Sequence, residues 1–373
     1  MSKIILIANT DWYLHHFRIS LARFLRVQGM DVVLVSPSGR YAHEIQAEGF
    51  RWRKWQVERQ TINPFKEIKA LFGLVRIFRD EDPSLVHLHT IKPVLYGSLA
   101  TKFVKVPALI RSITGRGYVF LGDDVRTLFL RFLVKGIYRY AIRSDSNATI
   151  FENETDRQYF LKEGLINPTN TYLIEGVGVD TDYFVPTPEP TGSPVIVLPS
   201  RMLWDKGVGT FVDAIRALKN KVAARFVLVG EPDPGNPANI ELNQIKSWEN
   251  EGLVEWWGWQ ADMRSVFAAC HIVVLSSFAE GIPTVLLEAA ASGRAIVATD
   301  VPGCRDVVID GKTGMLVPKQ NPTALAEALE TLVRHPEMRR AMGQAGRENV
   351  VIRFAATRVN EKTFRIYQKY LYP

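Results

Sequence analysis

"SSFAEGIPTVLLEAAASGRAIVATDVPGCRDVV", residues 276–308, decides how this chain is read. The run just before it, "HIVVLSS" from His271, is short and β-branched and reads as a buried parallel strand. Pro283 suits a first helical position, "TVLLEAAAS" continues the helix, and Gly293 stops it. Glu280 then lies on the loop at the strand's carboxyl end, and Glu288 lies inside the helix. Thr284 and Glu288 are four apart and share a face, so the carboxylate looks along the helix towards its N-terminus. That start, from Gly281 through Ile282, Pro283 and Thr284 to Val285, is an amide-rich site for an anion. Two acids around it suit a ligand with both hydroxyls and phosphates, as a nucleotide-sugar has. The plainer reading makes Glu280 a cap favoured by the helix dipole. Glu288, among Leu286, Leu287, Ala289 and Ala290, needs a partner in either case. Alone, the two acids also resemble the carboxylate pair of a glycoside hydrolase.

Working outward, the strand–loop–helix unit repeats in both directions. Upstream come the strands "VIVLPS" (195–200), "RFVLVG" (225–230) and "VEWWG" (254–258), each followed by a helical pattern; downstream come "AIVATD" (295–300) and the helix "TALAEALETLVRH" (323–335). The N-terminal half alternates in the same way. Its strands are "KIILIANT", "DVVLVSPSG", "SLVHLHT", "PALIRSIT", "NATIFEN" and "TYLIEG", with helical stretches between them. Such alternation predicts doubly wound parallel sheets. The one composition break, "GVGVDTDYFVPTPEPTGSP" (176–194), reads as an inter-domain linker. The expected architecture is therefore α/β, with two Rossmann-like domains facing each other across a cleft. Residues 1–185 form the N-terminal domain and 186–351 the C-terminal one, with one more helix over 352–373 at the tail. Ligands are expected at the strands' carboxyl ends.

A chain of 373 residues fits two domains. Its two cysteines, Cys270 and Cys304, lack metal-type spacing and point to free thiols in a reducing compartment. The short apolar start meets Asp11 too early for a secretory core, and no stretch of about 20 uncharged apolar residues predicts a spanning helix. The net charge of +7 is uneven: residues 1–185 hold 25 Lys and Arg against 19 Asp and Glu, a surplus of six, which leaves one for the rest. Between Lys92 and Arg143 the only acids are Asp123 and Asp124. A basic half suits anionic lipid, polyphosphate or nucleic acid. No nucleic-acid-binding motif accompanies it. "TLFLRFLVKGIYRYAIR" (127–143) mixes cations with aromatic and aliphatic residues, either to lie on an anionic membrane surface or to pack as a helix with snorkelling cations.

Four further motifs carry candidate chemistry. In "LPSRMLWDKGVGTF", Arg201 and Lys206 sit after a strand end, placed to neutralise a departing diphosphate. The plainer reading is a solvated loop whose glycines only make the turn. In "HLHTIKP", His87 and His89 share a strand face and His89 is nearer the carboxyl end, so it can hydrogen-bond a sugar hydroxyl or act as a base. His15 and His16 read as surface or helix-start residues. Asp180 and Asp182 of "VDTDYF" form an Asp-x-Asp, but within the linker they read as turn residues. A P-loop and a nicotinamide fingerprint are both absent.

Taken in order, "SRMLWDKG", "FVLVGE", "VEWWGW", "AEGIPTVLLEAAASGRAIVATDVPGCRDVV" and "GMLVP" resemble glycosyltransferase family 4, the retaining enzymes of the GT-B fold. The resemblance covers nearly the whole chain. In the N-terminal half, "HLHTIKPVLYGSLA" and "TGRGYVF" look like the subgroup that extends polyprenyl-diphosphate-linked glycans. The resemblance implies that Glu280 contacts donor-sugar hydroxyls, Glu288 the ribose hydroxyls, and Arg201 and Lys206 the diphosphate, aided by amides from Gly281 to Thr284. It matches His89 to the family's active-site histidine, puts the nucleotide's base near Trp257 and Trp259, and returns the last helix, 352–373, to complete the N-terminal domain. One departure stands out. The first loop, "ANTDWYLHHF", lacks the glycines that touch donor phosphates in many members, so Asn9 and Thr10 are left as polar contacts and the loop turns towards the acceptor.

The expected activity is transfer of a hexosyl or N-acetylhexosaminyl group from a UDP-sugar to a polyprenyl-diphosphate-linked glycan, with no metal and no cofactor. The enzyme is expected in the cytoplasm, peripheral on the inner face of the cytoplasmic membrane, and without a nucleic-acid partner. A UDP-sugar epimerase of the same fold and a transferase with a soluble small-molecule acceptor are the alternatives.

Overall fold

A computed structural model describes residues 2–372 apart from 59–60, 62, 116–117, 122–124 and 144–146. Arg116 and Gly117 of "TGRGYVF", with Asp123 and Asp124, thus lie outside the described residues. The chain divides into two compact units, Met1–Val177 with Ala356–Pro373, and Gly178–Ala355.

The first unit is built on β1 (Lys3–Ile7), β2 (Asp31–Ser36), β3 (Arg51–Lys54), β4 (Leu85–His89), β5 (Ala108–Ile113), β6 (Ala148–Phe151) and β7 (Thr171–Leu173). They form one sheet in the order β3-β2-β1-β4-β5-β6-β7, every pair parallel. Alternate side chains feed two cores. Ile5, Ile7, Val33, Val86 and Leu88 pack with Leu74 and Phe78 on one face. Ile4, Leu6, Val32, Leu34 and Leu85 pack with Ile366 and Tyr367 of the Ala356–Leu371 helix on the other. Burial on both faces is why these strands read as unbroken apolar runs. Each fully buried aliphatic side chain contributes about 2 kcal/mol.

The strand β3 carries no apolar run and is passed over by a periodicity reading. It is an edge strand, held by Arg51 and Arg53 on the buried Glu81 carboxylate at 2.7 and 3.0 Å.

The second unit repeats the plan with β8 (Val195–Pro199), β9 (Arg225–Val229), β10 (Glu255–Trp256), β11 (Ile272–Leu275), β12 (Ala295–Thr299) and β13 (Met315–Val317). Their order is β10-β9-β8-β11-β12-β13. Two further cores cover its two faces. In both sheets the order reverses beside the first strand, between β1 and β4 and between β8 and β11, the place where doubly wound folds bind ligands.

The Pro336–Arg353 helix is a second element the sequence did not announce. Its buried positions are Arg339, Met342, Gly343, Gly346 and Val350, a face of small and polar residues without an apolar period. The proline-rich stretch is a strap fixed to the second unit. Arg339 grips Glu189 through two 2.8 Å bonds, and Arg347 donates to Thr181 O at 2.9 Å and Phe184 O at 2.7 Å. Asp180 makes a turn, its carboxylate accepting from the Asp182 and Tyr183 N–H groups at 3.0 and 2.9 Å. Val179 N donates to Phe354 O at 2.8 Å, so the first and last residues of this unit lie side by side. Among the described residues no helix is long and apolar enough to cross a membrane.

Candidate active site

In the second unit the loops after β8 and β11 are stitched together by backbone. Gly207 lies at φ +71°, and a Cβ there would meet Ser276 O at 2.0 Å. Ser276 Oγ donates to Gly207 O at 2.9 Å, and Phe278 N donates to Asp205 O at 2.9 Å. On this platform Lys206 Nζ donates to Glu280 Oε1 at 2.7 Å, the two side chains being 22% and 14% exposed. Gly303 wedges beneath the same loop, where a Cβ would fall 1.2 Å from Gly281 O. Burial pushes the neighbouring Cys304 thiol up to about 12, so it stays protonated and offers no thiolate beside Glu280.

Pro283 is the N-cap of the Thr284–Ala291 helix, one position before the expected first helical residue. Lacking an N–H, it leaves Gly281, Ile282, Thr284 and Val285 as the amides; they donate to no protein acceptor among the described residues. Glu288 sits one turn into this helix between buried Leu287 and Ala289. Its carboxyl has no hydrogen-bond or ion-pair partner among the described residues, and burial pushes its pKa up to about 8. Carboxylate, ammonium and unpaired amides thus gather at one helix start, ready for hydroxyls and phosphate oxygens.

Arg201 is half exposed after β8, its Nη1 2.6 Å from the Asp233 carboxylate. Asp233 is fixed in turn by Asn239, whose side chain accepts from the Asp233 N–H at 2.7 Å. The structure therefore pairs Arg201 with Asp233 and Lys206 with Glu280, pairings that strand-end position alone does not reveal. Trp257 is half-buried against an apolar core, and its indole N–H donates to Glu255 at 3.3 Å. Trp259 is 49% exposed.

In the first unit His89 ends β4. Its ring is fully buried, neither nitrogen has a partner, and its centroid lies 3.9 Å from that of His87. Burial holds both imidazoles well below their ordinary pKa and neutral, so His89 is an uncharged ring that the described conformation does not open to solvent. His87 pairs through Nε2 with Ser112 Oγ at 2.7 Å and through Nδ1 with the Tyr367 hydroxyl of the last helix. Thr90 follows at φ +69° with a buried, unpaired hydroxyl, so backbone strain sits beside the reversal of strand order.

Thr10 caps the next turn, its Oγ1 accepting from Tyr13 N at 3.1 Å, while Asn9 is half-buried next to it. Asp11 ties this loop to the next helix start. Its carboxylate accepts from Trp12 N at 2.9 Å and Ala42 N at 3.0 Å, and a Cβ at Gly39 would lie 2.5 Å from it and force it to move. Arg18, buried between the Tyr13 hydroxyl at 2.7 Å and Glu152 at 3.3 Å, is a third feature that no local pattern announces. Among the described residues no three His, Cys, Asp or Glu side chains gather to hold a metal.

Two doubly wound parallel units, with acids and cations on loops at the strands' carboxyl ends, define a GT-B glycosyltransferase. Solved structures agree in fold: Alr3699/HepE of Anabaena, crystallised with UDP and glucose, superposes with a TM-score of 0.81 at 17% identity, covering 99% of this chain and all of that one. The family model described as "Glycosyl transferase 4-like" matches residues 3–153, and "Glycosyl transferases group 1" matches residues 193–335. The chain belongs to glycosyltransferase family 4. One similar relative is the N,N'-diacetylbacillosaminyl-diphospho-undecaprenol alpha-1,3-N-acetylgalactosaminyltransferase of Campylobacter jejuni, 26% identical over 87% of this chain and 88% of the relative. Another is the UDP-Gal:alpha-D-GlcNAc-diphosphoundecaprenol alpha-1,3-galactosyltransferase of Escherichia coli, 22% identical over 69% and 68%.

Proposed function

We propose that the enzyme moves a hexosyl or N-acetylhexosaminyl group from a UDP-sugar to a glycan carried on polyprenyl diphosphate, with retention at the anomeric carbon. The observation that carries this reading is the cluster at one helix start: Lys206 on Glu280, unpaired amides from Gly281 to Val285, and an unpartnered Glu288 one turn further in. The relatives' names supply the substrate classes, a UDP-sugar donor and diphospho-undecaprenol-linked acceptors.

In this reading Glu288 accepts hydrogen bonds from the ribose hydroxyls and Glu280 from the donor sugar. As the anomeric C–O bond breaks, charge grows on the departing diphosphate, where Lys206, Arg201 and the helix-start amides stabilise it. The acceptor hydroxyl attacks from the face the diphosphate leaves, and its proton passes to a phosphate oxygen. The acids position the donor and the cations carry the chemistry, so the step needs no metal. Trp257 and Trp259 border the nucleotide's base, with His89, Asn9 and Thr10 on the acceptor side. A polyprenyl-linked acceptor is held in a bilayer, so the reading puts the enzyme at the inner face of the cytoplasmic membrane.

Arg201→Ala and Lys206→Ala should each lower turnover about 100-fold or more while weakening donor binding far less, since a lost charge stabiliser acts on the transition state. The measurement is UDP release and lipid-linked product across a panel of UDP-sugars. Undiminished turnover in the double variant, or UDP release that ignores the lipid-linked acceptor in favour of a soluble one, would overturn it.

A further inference from the structure

We infer that Arg18 and Tyr367 are positioning residues for His89, acting on it through its two ring neighbours, Tyr13 and His87. This rests on the reading above that puts His89 on the acceptor side, and it adds residues that nothing above places in the reaction.

His89 is held by packing alone. Both of its nitrogens are unpaired, so no hydrogen bond fixes the ring or its tautomer. Among the described residues two rings lie against it: His87, with centroids 3.9 Å apart and planes at 46°, and Tyr13, at 6.0 Å and 35°. Each neighbour is pinned by a residue from elsewhere in the chain. His87 uses both nitrogens, one on Ser112 Oγ and one on the Tyr367 hydroxyl, so its ring cannot turn without breaking a bond. Its ring also meets that of Tyr367 edge-on at 5.5 Å. The Tyr13 hydroxyl accepts from Arg18 Nη2 at 2.7 Å.

Arg18 is not placed as a structural cation would be. It closes a π-helical turn, Leu14–Arg18, a form frequent at functional sites. Its guanidinium is buried, yet it meets Glu152 through one 3.3 Å contact and leaves Nε unpaired. Arg339, which does clamp two segments, grips Glu189 with two 2.8 Å bonds. A buried guanidinium is costly unless its donors are satisfied, so the loose pairing of Arg18 does little for stability. Its bond to Tyr13 is one task, and its charge performs a second. The titratable and charged groups around the histidine pair are Arg18 from the turn, Glu152 after β6, and the uncharged hydroxyls of Tyr13 and Tyr367. Burial foremost, the neighbouring ring in the case of His89, and then the Arg18 charge keep both imidazoles unprotonated. A neutral, fixed imidazole offers one N–H donor and one bare acceptor nitrogen, a pattern that a sugar hydroxyl complements. Buried nitrogens without partners are costly, and that cost disappears when such a hydroxyl reaches the ring.

The test compares three variants in the parent and in a His89→Gln background. Tyr367→Phe and Tyr13→Phe each remove one hydroxyl, and Arg18→Met/Glu152→Gln removes the buried ion pair whole. In the proposed transfer each should lower kcat about tenfold with the KM of donor and acceptor changed less than twofold, because a displaced group is felt in the transition state. In the His89→Gln background the same substitutions should cost less than twofold, whereas a merely structural role costs the same in both. The imidazole C2–H resonances of the full chain, assigned with His87→Gln and His89→Gln, need no substrate. In the ion-pair variant the His89 signal should titrate at least one pH unit higher than in the parent, and the acid limb of kcat should move up with it. If that variant does not fold, Tyr13→Phe tests the same arm through its coupling to His89→Gln. Additive losses, or a His89 titration that loss of Arg18 leaves in place, would overturn the assignment. A shifted titration in a protein that transfers no sugar would support the arrangement and overturn the proposed reaction instead.

Discussion

Glu288 makes the enzyme's stability depend on pH in an unusual direction. An ordinary glutamate ionises near pH 4.3, whereas burial raises this one to about 8. Between those values the folded chain keeps a proton that the unfolded chain has released, so stability falls as pH rises and levels off above about 8. Each unit of difference is about 1.4 kcal/mol, which sets an upper bound of a few kcal/mol because part of the side chain meets solvent. Glu288→Gln removes the titration. In urea titrations it should gain stability over the parent at pH 8 and not at pH 4.5, while donor affinity drops. Equal differences at both pH values would show that the carboxyl is already ionised in the fold. This residue and Glu280 were legible because their spacing spans a strand end and a helix start. The Lys206–Glu280 bond was not, since the partners are 74 positions apart, and neither was the His87–Tyr367 bond, which spans 280. Pattern reading places a residue on an element and a face; it does not say which distant side chain will stand opposite.

At the scale of elements, the loop carrying Glu280 depends on two backbones lying closer than any side chain permits. Gly303→Ala pushes a methyl into Gly281 O, 1.2 Å away, so the loop carrying Glu280 must move or the helix must shift. Overpacking of this kind costs about 1–3 kcal/mol, and more where only backbone can yield. Gly346→Ala is the control, its nearest contact being an ordinary 3.5 Å. Urea unfolding and donor titration should show losses in the first variant and near-parent values in the second. The elements that sequence made plain were those with an apolar signature, the parallel strands and helices such as Pro322–Arg334. Of those missed, β3 is held by arginines on Glu81 and the Pro336–Arg353 helix by glycines and a buried guanidinium, while β13 is only three residues long and shows no period.

Across the molecule, each unit carries its own pair of cores, and the Ala356–Leu371 helix belongs to the first. It buries Val359, Ile366 and Tyr367 there and bonds His87. Ending the chain at Ala355 should therefore lower the melting temperature of residues 1–177 by 10 °C or more, on the basis of about 4–8 °C per kcal/mol for a small domain and somewhat less at this size. The transition of residues 178–355 should stay in place. Differential scanning calorimetry resolves the two, and a common shift would show that they unfold as one. The two-sheet plan follows from alternation and length, whereas the strand order and the return of the last helix to the first sheet leave no local mark beyond that helix's amphipathic period.

The bond from Val179 N to Phe354 O has a consequence for how such enzymes diversify. A unit whose two ends touch can be lifted out of a gene as a cassette and replaced by another with the same spacing, leaving the host sheet and its closing helix intact. Residues 178–355 form such a cassette. If the donor is chosen there and the acceptor in the remainder, new pairings of sugar and lipid-linked glycan need only two recombination points, both within a few residues of one backbone hydrogen bond.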